Sequence, residues 1–333
     1  MNKFLLCCDW GTSSFRLRLV DRNTYAIIDE FLSSSGVAGT FRLWKEQTEI
    51  SRFNFYSNIL KSSIHELGKT IGSSVENIPI IVSGMASSSL GMEELPYAEL
   101  PFHIDGSQAS VRIFESFNGP GANLMLVSGV KSDEDVMRGE EAQLIGLLKI
   151  NEVSVKQHEQ LVFIFPGTHS KHIFVRDELM TDFKTYMTGE IFNILKEHSI
   201  LRDSVNLIDS SNMTEAANLQ AFKYGVEVSA SSNLLHNAFT VRTRQLFGKF
   251  SKEQNLFYLS GLLIGSELRQ LGSGNFDHLI VCCGRHLYDH YKTAVETISF
   301  ETKTTFIQSE LIDKATIAGQ VQLFNSIQTI NNE

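Results

Sequence analysis

The stretch "CCDWGTSSFRLRLVD" (residues 7–21) sets an acid, a glycine and three hydroxyl residues in a tight turn between two apolar runs. Beyond the turn Phe15, Leu17 and Leu19 alternate with Ser14, Arg16 and Arg18. That period of two predicts a strand, and the whole stretch a β-hairpin. Walker-type loops and Rossmann fingerprints run from strand into helix with other glycine spacings, so both are excluded. The turn can hold an anion in another way. Gly11 lets backbone amides approach a ligand, Thr12, Ser13 and Ser14 add hydroxyls and N–H donors suited to phosphate oxygens, and Asp9 stands at the mouth as a candidate magnesium holder. Any capped hairpin favours the same residue types, so this stretch alone leaves both readings open.

A second occurrence favours the phosphate reading. Residues 161–175, "LVFIFPGTHSKHIFV", again place a hydroxyl-rich turn between apolar strands, and Gly167-Thr168 follows Gly11-Thr12 by 156 residues. Each half of the chain opens with the same device, which predicts two similar domains that each offer a turn to one phosphate chain. Phe165 stands where the first copy has Asp9, so only the first turn is expected to hold a metal.

A chain of 333 residues with 42% apolar content supports two domains. The expected boundary lies in the polar stretch "NEVSVKQHEQ" (151–160), giving domains of 1–155 and 156–333. The net charge of −9, with no Lys/Arg cluster interleaved with aromatics, argues against nucleic acid and for a small-molecule partner. No apolar run approaches the roughly 18 residues of a membrane span, and the apolar start of the chain is too short for an export signal. Cys7-Cys8 and Cys282-Cys283 lie in apolar runs without zinc or disulfide spacing, as expected of reduced thiols in the cytoplasm.

Helical spacing at Tyr56, Ile59, Leu60, Ile64 and Leu67 precedes a buried strand in "IPIIVSGM" (78–85). Residues 213–271 are expected to be mainly helical, with Leu234, Leu235, Ala238 and Phe239, then Leu256, Leu259, Leu262 and Leu263, as core stripes. Strands are expected at "HLIVCCGRH" (278–286) and "SFETKTTFI" (299–307), then a last helix carrying Ile317, Val321 and Phe324. "SDEDVMRGEEAQLIGLL" (132–148) gathers acids at the start of an apolar helix. Such acids commonly just face solvent in a first turn, but a carboxylate fixed there can serve as a general base, and Glu140 is the candidate. Arg138 beside it can pair with that acid or with an anionic substrate group.

Taken together, "DWGTSSFRL", "SGMASSSLGMEELPYAELP" (83–101), "DVMRGEEAQLIG" (135–146), "PGTHSKHIFV" (166–175), "MTGEIFNILKEHSIL" (187–201) and "YLSGLLIGSE" (258–267) resemble the 2-dehydro-3-deoxygalactonokinase family of the sugar kinase, hexokinase and actin superfamily. The resemblance implies an α/β protein of two ribonuclease-H-like domains, with a central cleft for ATP and Mg²⁺. It also implies transfer of the γ-phosphoryl group to the 6-hydroxyl of the sugar acid 2-dehydro-3-deoxy-D-galactonate. A related sugar or sugar acid, or a non-kinase ATP-binding regulator of the same fold, is the alternative. Carried over by position, the resemblance makes Asp9 the metal holder and Glu140 the base, with Glu141 the alternative register. Gly11, Thr12, Ser13, Gly167, Thr168, His169 and Ser170 are then phosphate contacts and Gly284 an adenosine contact. Met85, Ser87, Tyr97 and Arg138 are the expected sugar-acid contacts, and a homodimer is the expected oligomer. Two positions depart from the family: Gly91-Met92 stands where Gly-Trp is usual, and Cys283 replaces the first glycine of a Gly-Gly pair.

Overall fold

The structure is a computed structural model that describes all residues except Met1, Thr48, Ser73, Asn151, Glu152, 207–212, Ser232, 273–275 and 331–333. Asn151 and Glu152 of the expected boundary therefore lie outside the described residues. Residues 1–157, 176–182 and 310–333 form one compact unit, and 158–175 and 183–309 the other.

The first unit opens with the hairpin β1 (Phe4–Trp10) and β2 (Phe15–Asp21), followed by β3 (Ile27–Ser33), α1 (Val37–Lys45), α2 (Arg52–Ile71) and β4 (Ile80–Gly84). After these come β5 (Ala98–Glu99), β6 (Phe102–His103), β7 (Val111–Phe114), β8 (Leu124–Val127), β9 (Val130–Lys131), β10 (Val136–Met137) and α3 (Glu140–Lys149). Its main sheet has the order β3-β2-β1-β4-β8-β7. The first three strands are antiparallel neighbours, while β4 and β8 continue parallel to β1. Leu6, Cys8 and Trp10 on one face of β1 share a core with Tyr56, Leu60, Ile64 and Leu67, the expected stripe of α2. Ser51 starts that helix by accepting the Asn54 N–H, and Gly72, at φ 68°, ends it in a left-handed conformation suited to glycine.

The second unit contains β11 (Gln160–Phe165), nearly all of β12 (Ser170–Arg176), the second half of β13 (Leu179–Tyr186), α4 (Thr188–His198), α5 (Ala216–Val228), α6 (Leu234–Leu246), α7 (Lys252–Leu268), β14 (His278–Cys282), α8 (Arg285–Ile298) and β15 (Lys303–Ile307). Its sheet runs β15-β14-β11-β12-β13, with β14 parallel to both β11 and β15. The runs β3-β2-β1-β4-β8 and β13-β12-β11-β14-β15 therefore have the same order, an antiparallel meander extended by two parallel strands, and β7 is an added edge strand in the first unit. The repeat seen in the two turns extends to strand order.

Two expectations need correction. The second domain does not run to residue 333: α9 (Ser309–Ile330) groups with the first unit from Glu310 onward. Its backbone lies directly on α3, since a Cβ at Gly319 would come 1.8 Å from the Ala142 carbonyl oxygen and one at Gly146 would come 1.7 Å from that of Ala315. The Gln320 amide also donates to the Cys8 carbonyl and to Ser83 Oγ, both at 2.8 Å, tying α9 to β1 and β4. The α6 stripe is likewise not all core. Leu235 is 88% exposed and Phe239 49%, because α6 turns Val241 inward and packs Leu234 and Ala238 against the α7 cluster.

Gly319→Ala drives a methyl group into the Ala142 carbonyl, and we expect it to destabilise the chain by about 2–3 kcal/mol. Urea unfolding reads this as a lower midpoint, and an unchanged midpoint is incompatible with the contact.

Candidate active site

Strand register places Asp9. On β1 it lies opposite Arg16 of β2 and beside Ser83 of β4. Arg16 Nη1 donates to Asp9 Oδ2 at 3.0 Å, while a Cβ at Gly84 would come 3.3 Å from Oδ1. Gly84, at φ 84°, closes β4, and a Cβ at Gly139 would stand 3.9 Å from its Cα. Asp9, Gly84 and Gly139 thus lie side by side at the ends of β1 and β4 and the start of α3. Burial pushes the Asp9 carboxyl above its ordinary value, with Arg16 pulling the other way. The turn itself is tightened by a Gly11 N–H to Ser14 carbonyl bond of 2.9 Å, and it leaves Thr12 and Ser13 exposed. Beneath it Trp10 is fully buried and donates its indole N–H to the Ser35 carbonyl.

Glu140 and Glu141 open α3 behind Gly139, whose φ of 111° suits glycine alone. Glu140 is partly exposed and Glu141 is buried. Glu141 accepts the Gly139 N–H at 2.7 Å, and burial, aided by the charge of Glu140, pushes its carboxyl up to about 8. The two registers are therefore physically distinct. Glu140 is partly exposed with its Oε2 buried, whereas Glu141 is enclosed and burial favours its protonated form.

The expected sugar-acid contacts converge in part. Arg138 Nη1 donates to Ser87 Oγ at 2.6 Å and to Ser128 Oγ at 3.1 Å, and its guanidinium carbon lies 4.0 Å from the centre of the Tyr97 ring. Ser87, Tyr97 and Arg138 thus form one cluster. Met85 heads the short turn after β4 and packs against the core of α2. Met92, at the departure from Gly-Trp, is 1% exposed within that core. Gly91 explains the local path, because a Cβ there would meet the Ala86 carbonyl oxygen at 2.1 Å.

In the second unit Gly167, Thr168 and His169 form the turn between β11 and β12, with Thr168 and His169 exposed. His169 Nε2 lies 2.5 Å from Glu190 Oε2 in α4. Ser170 is buried and gives its hydroxyl to Glu267, and Lys171 donates to Thr185 at 2.7 Å. The start of α4 sits on the turn: Glu190 N–H donates to the Thr168 carbonyl, and a Cβ at Gly189 would meet the Gly167 carbonyl oxygen at 2.6 Å. The first unit repeats this contact. There the Ala38 N–H donates to the Thr12 carbonyl, and a Cβ at Gly36 would meet the same oxygen at 2.4 Å. A cavity of about 370 Å³ opens beside the second turn, bordered by Gly167, Thr168, Thr188, Gly189, His286 and Tyr291. Gly284 is the exposed N-cap of α8, with open space where a Cβ would be, and Cys283 before it is fully buried. A larger hollow of about 690 Å³ beside Phe31 and Glu66 in the first unit touches none of the expected site residues.

The family model for 2-keto-3-deoxy-galactonokinase matches residues 9–323, from Asp9 into α9. The chain belongs to this family. It is 30% identical over 299 residues to a Rhizobium meliloti (strain 1021) protein named "Probable 2-dehydro-3-deoxygalactonokinase DgoK1", covering 87% of this chain and 88% of the other. The 2-dehydro-3-deoxygalactonokinase of Escherichia coli (strain K12) is 31% identical over 201 residues, covering 59% of this chain and 62% of its own. A solved structure from Sinorhizobium meliloti, assigned by name to the same kinase, superposes with a TM-score of 0.77 at 26% identity, covering 98% of this chain and 96% of that one. Membership of this kinase family makes the chain a carbohydrate kinase and ATP its phosphoryl donor. Among the described residues no helix is long and apolar enough to cross a membrane.

The lone carboxylate of Asp9 is compatible with a magnesium ion held mainly by the phosphates of a nucleotide. Among the described residues no group of three or more metal-ligand side chains converges. Magnesium commonly keeps waters and binds through one or two carboxylates plus substrate phosphates, and Asp9 supplies such a carboxylate. Sequence reasoning missed the partners that the fold supplies. Ser128 reaches Arg138 from a strand end, and the glycines seating α1 and α4 lie well downstream of their turns. The one available signal was Gly189 within "MTGE".

Glu141 links stability to pH. Between its ordinary value of 4.5 and about 8, the folded chain holds a proton that the unfolded chain releases. The associated stability is full below about 4.5 and is lost as pH rises to about 8, at no more than about 1.4 kcal/mol per pH unit. Urea unfolding of wild type and Glu141→Gln across pH 5–8 should show a shallower decline in the variant. Parallel declines would place Glu141 outside this linkage.

Proposed function

We propose that the chain transfers the γ-phosphoryl group of ATP to the 6-hydroxyl of 2-dehydro-3-deoxy-D-galactonate. The observation that carries this is the convergence, within the first unit, of Asp9, Gly84, Gly139 and the helix start bearing Glu140. Glu140 accepts the proton of the attacking hydroxyl, as phosphoryl transfer to an alcohol requires. Asp9 holds Mg²⁺, which when bound neutralises charge on the β- and γ-phosphates. In the first unit Gly11, Thr12 and Ser13, and in the second Gly167, Thr168 and His169, offer amides and exposed side chains suited to phosphate, Ser170 supports the second turn from within by giving its hydroxyl to Glu267, and Gly284 borders the adenosine.

Arg138 orders the sugar-acid loop and supplies cationic character for the substrate carboxylate. Its Nη1 donates to both Ser87 and Ser128 while the guanidinium lies over the Tyr97 ring, and a lysine ammonium lacks the planar, multi-nitrogen group that leaves further donors for a carboxylate. Four buried free cysteines support a reducing compartment, the cytoplasm.

Initial rates of ATP consumption test the assignment. The sugar acid should stimulate consumption strongly and galactose little, and equal use of galactose rejects a sugar-acid substrate. Glu140→Gln should lower kcat by roughly 10²–10⁴ while nucleotide binding persists. Transfer of that loss to Glu141→Gln alone would move the base by one residue. Arg138→Lys should raise KM for the sugar acid more than for ATP, and an effect confined to ATP removes Arg138 from the acceptor side.

A further inference from the structure

The segment "YLSGLLIGSE" (258–267) ends in a carboxylate that the proposed chemistry does not use. Glu267, near the end of α7, is 3% exposed. Its two oxygens serve different elements. On Oε1, Ser170 Oγ donates at 2.7 Å and His172 Nε2 lies at 3.0 Å, both from β12. On Oε2, Thr188 Oγ1 donates from the first residue of α4 and Tyr291 OH donates at 2.8 Å from α8. The Tyr291 phenol is pushed well above its ordinary value, chiefly by burial and then by the charge of Glu267.

A buried carboxylate is costly unless hydrogen bonds replace its water, and an apolar side chain of similar volume would fill such a site without needing four partners. Its placement therefore points to what it fixes. Ser170 directly follows the exposed Thr168 and His169. Thr188 directly precedes Gly189, whose backbone rests on Gly167 and Thr168. Both edges of the phosphate turn are thus fastened to one side chain, and Gly167, Thr168, Thr188, Gly189 and Tyr291 all border the 370 Å³ cavity.

We propose that Glu267 is a positioning residue for the nucleotide: it fixes the Gly167–His169 turn against the start of α4, holding the turn's amides and hydroxyls at the spacing a phosphate chain needs. This rests on the assignment of that turn to the phosphates of ATP. Glu267→Gln keeps the volume but places an NH₂ donor where hydroxyl donors converge. Its affinity for a non-hydrolysable ATP analogue with Mg²⁺ should fall about tenfold or more, as expected when a binding group shifts by a fraction of an ångström. KM for ATP should rise in parallel while KM for the sugar acid stays within about twofold. A purely structural role would instead lower the active fraction and leave both KM values unchanged. Tyr291→Phe removes one donor, should weaken the analogue in the same direction, and provides the test if Glu267→Gln does not fold. Their effects should be less than additive when both fold.

Unchanged analogue affinity in a folded variant, or an equal rise of both KM values, overturns the proposal. Wild type that binds the analogue but phosphorylates no sugar acid overturns the substrate assignment and leaves the Glu267 measurement standing. Wild type that binds no analogue overturns both.

Discussion

A helix start resting on a Gly-Thr turn, with glycine at the contact, is the constraint from which both halves of this chain are built. In the first unit Gly36 brings its backbone onto Thr12 and Ser13, and in the second Gly189 does so onto Gly167 and Thr168. A side chain at either glycine would collide with backbone, which has little freedom to move away. The contact spends turn carbonyls on helix amides, Ala38 to Thr12 and Glu190 to Thr168, and leaves the threonine side chains exposed. The turn is therefore fixed by its backbone, and its hydroxyls remain available to a ligand. Burial of Trp10 beneath the first turn and of Ser170 at the edge of the second fixes the same arrangement from below.

Local patterns carry much of the architecture. Period-two alternation around Leu17 and the duplicated turn are enough to predict the hairpins, and the strand order they open recurs in both sheets. Long-range partners lie beyond such patterns. Nothing near Gly319 indicates that it will seat Ala142, almost two hundred residues earlier, so local reading assigns the last helix to the wrong unit. Helical spacing also shows that a face exists without showing what covers it. Leu234, Ala238 and Val241 find the α7 cluster, while Leu235 and Phe239, one position further round, remain exposed.

The site is legible as residue types more than as geometry. Ser87, Tyr97 and Arg138 are far apart in sequence, yet the structure brings them into one cluster through a guanidinium that satisfies two hydroxyls and an aromatic face. Ser170 shows the opposite outcome. Its hydroxyl looks equivalent to that of Thr168 in a turn of polar residues, but strand alternation turns it inward to Glu267. Composition cannot distinguish the two, because both residue types suit a turn and only the direction of Cβ separates ligand contact from internal support.

Burial sorts the carboxylates of Asp9, Glu140, Glu141 and Glu267 into different roles. Asp9 meets a guanidinium on one oxygen and has glycine backbone beside the other, leaving space where a larger residue at 84 would intrude. Glu267 is enclosed by side-chain partners from three elements and is almost wholly removed from water. Glu141 accepts a backbone N–H from Gly139, and burial drives it toward the neutral acid. The proton on Glu141 also matters for its neighbour. Two adjacent ionised carboxylates at one helix start would repel each other, and a protonated Glu141 removes that repulsion. The tandem glutamates thus sit in different environments: burial favours the protonated form of Glu141, while Glu140 is partly exposed.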